Sequence, residues 1–402
     1  MLTNVGLIMI AGLIGSKIFS KIKLAPILGM LLAGIIISPN LLGLVKGDIG
    51  ALSKDLRQIA LVVILSRAGL SLSFDRLREV GLPAILMTFL PASFEMVAIT
   101  FLANKIFNLP YIDSAILGAV LAAVSPAIVV PRMIRLIEEG YGEDKKIPEI
   151  ILAGSSIDDV YTIVFFTVFI NLKLGGQASI GSFLNIPISI ITGILFGILV
   201  GYILYIIYSN INLGRIYKAI ALMGLSFFIL EIEDLAKSYI AFSGLVAIIS
   251  MTMTIKKLDQ DLADELLDVY SSLWELFEIF LFVLVGITVD LSIIGEEIIP
   301  ALLLITGGII FRMLGVYLAL LPSNLEKSEK IFSGFAYLPK ATVQAAIGPV
   351  ALGYGIASGK LILAISVIAI LYTAPLGAIL TDKTYKKLLA QNKKGAVAKV
   401  PI

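Results

Sequence analysis

Two adjacent aspartates, Asp158 and Asp159, interrupt the otherwise apolar segment Ile151-Leu-Ala-Gly-Ser-Ser-Ile-Asp-Asp-Val-Tyr-Thr162. Apolar residues continue to about Leu172, so the segment has the length and composition of a membrane-spanning helix. A charged side chain at mid-bilayer costs roughly 2.5–3.5 kcal/mol on insertion scales, and two neighbouring carboxylates repel each other when both are ionised. A proton or a small hard cation is therefore the natural partner of this pair.

The composition indicates a membrane protein. The chain has 402 residues, of which 58% are hydrophobic, and its mean hydropathy is +1.01. A soluble protein of this length cannot bury so much apolar surface, so we expect an all-α polytopic membrane protein. The sequence contains neither cysteine nor histidine, which excludes disulfides, thiol chemistry and histidine-based metal or catalytic sites. We expect no enzymatic activity, no cofactor, and no nucleotide or nucleic-acid partner.

Hydropathy predicts thirteen transmembrane helices, which we call spans 1 to 13: residues 2–19, 24–39, 56–73, 82–104, 112–137, 147–172, 183–209, 213–231, 239–256, 271–292, 299–322, 330–354 and 360–381. Residues 382–402 are a short basic tail. With the N-terminus outside, 21 of the 31 Lys and Arg residues lie on the inner side and seven on the outer side. The positive-inside rule thus predicts a multi-pass protein with a cytoplasmic C-terminus. The compact loops and the lack of long tails favour the inner (plasma) membrane of a bacterium.

The aspartate segment has an internal counterpart, Ile362-Leu-Ala-Ile-Ser-Val-Ile-Ala-Ile-Leu-Tyr-Thr373, with seven of twelve residues identical at an offset of 211. Similar offsets pair four further landmarks: Ser38 with Ser250, Asp75 with Asp290, Glu95 with Arg312, and Pro126 with Pro339. We therefore predict two six-helix repeats, residues 1–172 and 213–381, joined by a linker helix at 183–209. An odd number of intervening spans inverts the second repeat, which is the architecture of secondary transporters.

Two spans carry prolines at equivalent positions near their centres, in Ala123-Val-Ser-Pro-Ala-Ile-Val-Val-Pro131 and in Tyr337-Leu-Pro-Lys-Ala-Thr-Val-Gln344. Proline removes a backbone donor and disrupts the preceding turn. We predict two discontinuous helices that cross near the aspartates, with Pro126, Pro339, Lys340 and Thr342 at the crossing; ordinary proline kinks are the alternative. Lys340 would neutralise half-helix C-termini there or extend to an interface.

Three groups of polar or charged residues lie within the predicted spans: a candidate ion pair, the candidate ion ligands and Arg67. Glu95 and Arg312 carry opposite charges at equivalent repeat positions, so we predict a core ion pair; the alternative pairs Arg312 with Asp158. Hydroxyl and carboxylate oxygens suit Na⁺ or Li⁺, which we expect to be bound by Asp158 and Asp159 together with Ser155, Ser156 and Ser125. Arg67 either reaches the cytoplasmic headgroups or has a functional role.

Two other patterns have more ordinary interpretations. Gly193, Gly197 and Gly201 recur at intervals of four in span 7 and allow close helix approach, either within the subunit or at a subunit interface. The acidic segment Asp259-Gln-Asp-Leu-Ala-Asp-Glu-Leu-Leu-Asp268 is most simply the solvated start of a helix, with pH sensing as the alternative.

The motifs together resemble the monovalent cation/proton antiporter superfamily, and within it the NHA branch of sodium/proton antiporters. The resemblance covers essentially the whole chain and is carried by Gly154-Ser-Ser-Ile-Asp-Asp-Val160, the Ala123–Pro131 segment, Phe311-Arg-Met-Leu-Gly315 and Leu338-Pro-Lys-Ala-Thr-Val-Gln-Ala-Ala-Ile-Gly-Pro349. It implies a homodimer in which spans 4–6 and 11–13 form a moving, ion-carrying core and spans 1–3 and 8–10 a dimer scaffold. It also implies that Asp159 is the principal carrier of the ion and the proton.

One difference from the family pattern bears on stoichiometry. Many electrogenic members with an aspartate pair have a lysine where Arg312 stands, so the resemblance implies electroneutral exchange, whereas the pair alone suggests two protons per sodium. Two other functions share this fold: a Kef-type potassium efflux system or channel, and an organic-anion symporter. The short loops leave no room for the soluble nucleotide-binding domain usual in Kef-type systems, and the aspartate pair disfavours the symporter.

Overall fold

The computed structural model describes residues 2–22, 24–46, 50–71, 80–175, 180–211, 213–236 and 242–391. Over these ranges the chain is almost entirely helical. The α-helices, in chain order, are α1 Leu2–Lys21, α2 Pro26–Ile37, α3 Gly50–Ser71, α4 Leu82–Met87, α5 Leu90–Phe107, α6 Tyr111–Ala122, α7 Pro126–Glu138, α8 Ile147–Leu174, α9 Ile180–Asn210, α10 Arg215–Ala236, α11 Gly244–Leu258, α12 Gln260–Thr288, α13 Leu291–Ala319, α14 Lys327–Ala336, α15 Thr342–Ile347, α16 Val350–Gly353 and α17 Gly359–Leu388.

Eight helical segments of the described chain are long and apolar enough to cross a membrane, counting α4 with α5 and α6 with α7 as one segment each. This finding confirms an all-α polytopic membrane protein. The five other predicted spans overlap shorter or more polar helices, namely α2, α3, α10, α11 and the α14–α16 series, so the count of thirteen stays a prediction. Asp75 and residues 392–402 of the predicted tail lie outside the described residues.

Side-chain hydrogen bonds and ion pairs define the start of α12, where the acidic segment lies. The Asp259 carboxylate accepts a bond from the Leu262 amide at 2.9 Å at the start of α12, as expected of an N-cap aspartate. Two further acidic side chains of this segment form ion pairs, Asp264 with Lys256 and Glu265 with Lys218, the latter at 3.0 Å. The acidic segment is therefore a capped and partly charge-paired start of α12.

The helices pack in two groups. In the first, which we call the scaffold, α1, α2 and α12 pack together, α3 packs on α11 and α12, and α9 packs on α11. In the second, which we call the core, α5 packs on α6 and α13, and α8 and α17 pack on the short helices around them. Contacts between the two groups are fewer and run through α8 and α15. The aspartate helix thus lies where the groups meet.

The glycine stripe of α9 packs inside the subunit. A Cβ at Gly197 or Gly201 would clash with a backbone carbonyl of α11, and one at Gly193 with the carbonyl of Ser243, the N-cap residue of α11. These glycines therefore allow α9 to lie directly on the backbone of α11. Of the two interpretations of the stripe, the structure favours intramolecular packing.

Candidate ion-binding site

Helix α8 carries both aspartates close to its middle. Asp158 is fully buried and Asp159 is 8% exposed. Because consecutive helical residues point about 100° apart, the two carboxylates have different neighbours. The Thr162 hydroxyl donates to the backbone carbonyls of Asp158 and Asp159 at 3.1 and 2.9 Å, which satisfies the polar group of this buried threonine within the helix.

Asp158 is held on one oxygen only. Its Oδ2 accepts a hydrogen bond from the Val124 amide at 2.7 Å and another from Arg312 Nη2 at 3.1 Å. Its Oδ1 is buried and has no hydrogen-bond partner among the described residues. One half of the carboxylate is therefore anchored, and the other half is available as an acceptor or a cation ligand.

Asp159 has no ion pair in the part of the chain that the structure describes, and its Oδ1 is likewise buried without a hydrogen-bond partner there. The buried Ser125 hydroxyl has none either. Ser155 donates to the Leu152 carbonyl at 3.2 Å, which leaves its oxygen lone pairs as acceptors. The side chain of Ser156 lies outside the described residues. Carboxylate and hydroxyl oxygens of this kind suit a hard cation.

A buried ionic cluster lies next to Asp158. Arg312 Nη1 donates to Glu95 Oε2 at 2.8 Å, and Lys340 Nζ lies 2.7 and 2.8 Å from the two oxygens of the same carboxylate. Glu95, Arg312 and Lys340 are all fully buried. Since Arg312 also contacts Asp158, two carboxylates face two fixed cations, and the four charges balance when all are ionised.

The two unwound segments meet beside this cluster. The chain is not helical over Ala123–Ser125, nor from Tyr337 to Ala341. Pro126 is the first residue of α7, where its missing N–H costs nothing. The Ser125 amide donates to the Pro339 carbonyl at 2.7 Å, which joins the two segments directly. The Lys340 amide in turn donates to the Thr373 hydroxyl at 3.0 Å. Thr342 begins α15 and is buried.

Cationic side chains satisfy the C-terminal end of α6. Lys340 donates to the Leu121 carbonyl, and Arg312 donates to the Ala122 carbonyl. Arg312 also donates through Nε to the Tyr337 carbonyl, which follows α14, at 2.6 Å. The last carbonyls of a helix have no partner inside the helix and carry partial negative charge, so buried cations there are stabilising.

The structure brings most of the predicted residues together. Glu95 and Arg312 are in contact, and the alternative contact between Arg312 and Asp158 is also present, so the two interpretations are compatible. Lys340 does not extend to an interface. Arg67 lies half-buried on α3, next to acidic residues of α12, at the interface of these two scaffold helices.

The sequence did not predict that Gln344 and Thr373 form hydrogen bonds with the backbone beside the ion site. Thr373 ends the repeat segment and is equivalent to Thr162, so the repeat alignment already marked it. Gln344 lies at the end of the proline-containing motif, and its polar side chain in an apolar setting was the only available signal.

Comparison with known proteins finds relatives that match nearly the whole chain. The family model described as "Sodium/hydrogen exchanger, transmembrane" matches residues 6–383. The chain is 31% identical to sodium/hydrogen exchanger 9B2 of Mus musculus over 398 residues, which cover 94% of this chain and 72% of that protein. It is also 31% identical to sodium/hydrogen exchanger 9B1 of Homo sapiens over 415 residues, covering 96% and 78%.

The fold is also shared with a solved structure, that of the sodium proton antiporter MjNhaP1 from Methanocaldococcus jannaschii at pH 8. The TM-score is 0.80 at 24% sequence identity, and the match covers 95% of this chain and 97% of that one. The resemblance therefore extends over the entire arrangement of helices.

Proposed function

The chain belongs to the sodium/hydrogen exchanger family, which consists of transporters rather than enzymes, and we propose that it is a secondary antiporter that exchanges Na⁺ or Li⁺ for H⁺ at Asp158 and Asp159. The observation that carries this proposal is the set of buried oxygens without hydrogen-bond partners among the described residues: Asp158 Oδ1, Asp159 Oδ1 and Ser125 Oγ. Buried polar atoms are normally satisfied. A hard cation satisfies such oxygens as ligands, and a proton satisfies a carboxylate.

The two aspartates have different roles in this proposal. Asp158 is held by Arg312 and the Val124 amide, so its charge is largely compensated whether or not an ion is bound. Asp159 has no fixed cation within ion-pair distance among the described residues, so it needs a mobile one. Asp159 is therefore the carrier for which Na⁺ and H⁺ compete. Asp158 contributes charge and a ligand, and Ser125, Ser155 and Ser156 contribute hydroxyl oxygens.

Charge counting supports electroneutral exchange. Glu95 and Asp158 offset Arg312 and Lys340, so this buried set is neutral when all four groups are ionised. Only the Asp159 charge is left to be compensated by the transported species. One Na⁺ in one direction and one H⁺ in the other then leave the site with the same net charge, and transport proceeds without a cofactor.

The two packing groups support a proposal of alternating access. The core and the scaffold are each well packed and contact one another mainly through α8 and α15. Ion pairs also join elements within the core, such as Asp113 with Lys173 at 2.7 Å and Arg135 with Asp382 at 2.8 Å. We propose that the core moves as one body, elevator-like, against the scaffold. An empty, ionised site would move into low dielectric at high cost, so only loaded states cross.

The finer architecture belongs to the same proposal. Thirteen spans would form two inverted repeats, residues 1–172 and 213–381, with residues 183–209 as the linker and the N-terminus outside. The identical residues of the Ile151–Thr162 and Ile362–Thr373 segments, both of which lie in long helices, support the repeat. Two subunits would associate through their scaffolds in the inner (plasma) membrane.

The test is ion-driven proton movement in proteoliposomes that hold a pH-sensitive dye. Addition of Na⁺ or Li⁺ to the wild type is expected to change the internal pH, and Asp159→Asn is expected to abolish the response. Ser20→Ala is a matched control, because it removes a hydroxyl that lies outside the site and bonds within α1.

The result discriminates between functions. A K⁺ response with channel-sized currents would favour the Kef-type alternative. Folded protein that responds to no cation would contradict the exchanger and favour transport of an organic solute.

A further inference from the structure

Gln344 is a buried polar residue next to the ion site that the proposed exchange does not use. It lies on the short helix α15 and is fully buried. Its Nε2 donates to the Val120 carbonyl at 3.1 Å and to the Ala123 carbonyl at 2.9 Å. With Lys340 and Arg312, it completes a set of side-chain donors for the four successive carbonyls of residues 120–123.

The orientation of the Gln344 amide is determined by these partners. A carbonyl oxygen only accepts, so both bonds require the NH₂ end of the amide, and each of its two N–H groups is used once. Gln344 Oε1 is buried and has no hydrogen-bond partner among the described residues. The side chain thus acts as a double donor to the end of α6.

One of the two bonds leads to the carrier pair. Ala123 is the first residue after α6, and its carbonyl belongs to the same peptide group as the Val124 amide. That amide donates to Asp158 Oδ2 at 2.7 Å. Gln344 therefore holds one side of a peptide whose other side holds Asp158. Hydrogen bonds in such a chain strengthen one another, because a bond to the carbonyl makes the N–H a better donor.

We propose that Gln344 is a positioning residue for cation binding, acting on Asp158 through the Ala123–Val124 peptide. The inference rests on the proposed exchange function and deepens it. The hydrogen bond from Gln344 to the Val120 carbonyl, taken alone, would cap the end of α6 and stabilise it without affecting ion binding. The bond to the Ala123 carbonyl differs, because the Ala123–Val124 peptide lies outside the helix. Among the described residues, only Gln344 and Asp158 form hydrogen bonds with this peptide. Without Gln344, only the bond to Asp158 orients this peptide among the described residues, so the alignment of the donor to Asp158 is less well fixed.

The test measures Na⁺ binding and transport in Gln344→Leu, which keeps the approximate volume and removes both donors. The KM for Na⁺ in proteoliposomes is expected to rise about fivefold, the change that corresponds to losing one hydrogen bond, with the maximal rate within twofold of wild type. The rise in Tm that Na⁺ produces in detergent reports binding without transport, and it is expected to shrink in parallel.

Asn104→Leu is the matched control. The Asn104 amide donates to the Leu109 carbonyl at 2.7 Å just beyond the end of α5, so the variant loses the same kind of bond at another helix end of the core. It is expected to lower the Tm while leaving the KM for Na⁺ unchanged. Gln344→Glu is a second variant. A carboxyl buried against two carbonyls is expected to be protonated, so it keeps the shape and donates one hydrogen bond instead of two. Its KM is expected to lie between those of wild type and Gln344→Leu.

The outcomes separate this inference from the proposed function. A wild type without a Na⁺ response contradicts the proposed function itself. A responding wild type with unchanged KM in folded Gln344→Leu overturns only the role of Gln344. Failure of both variants to fold, where Asn104→Leu folds, would assign the amide a purely structural role and would also overturn it.

Discussion

The core and the scaffold differ in what joins their helices besides close packing. In the core, α6, α13 and the unwound segments are joined by buried charges, with Arg312 and Lys340 each bonding both a carboxylate and a backbone carbonyl. In the scaffold, helices approach at glycines: a Cβ at Gly15 would clash with the backbone at Gly29, and one at Gly286 with the backbone at Leu31. Glycine contacts also occur in the core, at Gly118 and Gly315. The core therefore depends on buried charge in addition to shape, so substitutions at its charged residues should affect it in a different way.

The largest effect is expected from Glu95→Gln in the core. Both Arg312 and Lys340 lose a fully buried counter-charge, and breaking such a pair costs about 3–5 kcal/mol. Denaturant unfolding in detergent should show this loss of stability, while the preference between Na⁺ and Li⁺ should stay as in wild type. The double variant Glu95→Gln/Lys340→Met should recover part of the stability, because it removes one unpaired cation. Wild-type stability with altered ion preference would contradict the structural role of Glu95.

In the scaffold, Gly197→Ala should cost about 2 kcal/mol of unfolding free energy, since its methyl group has no space against the Ala247 carbonyl. Gly224→Ala is the matched control: nothing lies within 4 Å of the added methyl group, so stability should be unchanged or slightly higher. The same unfolding assay checks both. If Gly197→Ala changed the KM for Na⁺ and left stability intact, the separation of scaffold from ion site would be wrong.

A third test uses pH to probe the core alone. Because a protonated carboxylate offers Na⁺ no charge, competition predicts that the apparent KM for Na⁺ rises as pH falls, by at most about tenfold per pH unit for one proton. Initial transport rates at several Na⁺ concentrations, between about pH 6 and 9, measure this slope. A flat KM across that range would rule out competition at a single site. Gly197→Ala should keep the wild-type slope.

The smallest effect is expected at the edge of the core, outside the membrane spans, where Lys145 lies 2.9 Å from Glu329. Hydrogen bonding to Glu329 raises the pKa of Lys145 above its ordinary value of 10.5. A raised lysine pKa means that the stabilisation is fully present at neutral pH and is lost only as pH rises through the folded value. Lys145→Met should therefore cost the same at about pH 6 and 9, less than about 1 kcal/mol. Because Lys145 is 33% exposed and Glu329 only 5% exposed, high salt should reduce the difference; an undiminished effect would contradict an ion pair that reaches solvent.

Several features of the core followed from local sequence signals. Asp158 and Asp159 stood out because ionisable residues are costly in an apolar helix, and Pro126 and Pro339 because they occupy equivalent repeat positions near mid-span. Proline alone is not decisive, since Pro131, Pro300 and Pro375 lie inside helices. The NHA-like motifs anticipated the family, and the comparisons confirm it. Each of these signals is carried by residue type and position along the chain, which is why the sequence was sufficient.

The shared contacts of the core were not predictable in the same way. That Arg312 reaches both Glu95 and Asp158, and that Gln344 faces the end of α6, depends on how α13 and α15 lie across α6. That geometry is set by many apolar contacts, none of which has a distinctive pattern. For the same reason, the spacing of Gly193, Gly197 and Gly201 indicated close approach without revealing that α11 is the neighbour.

The bond between the two unwound segments runs from the Ser125 amide to the Pro339 carbonyl, and no side chain takes part in it. The side chains around the crossing can therefore be exchanged without breaking the bond that links the two segments. Of the twenty residue types, only proline at position 125 lacks the donor. The hydrogen bond that links the two segments is therefore insensitive to most substitutions, whereas the side chains around it can vary.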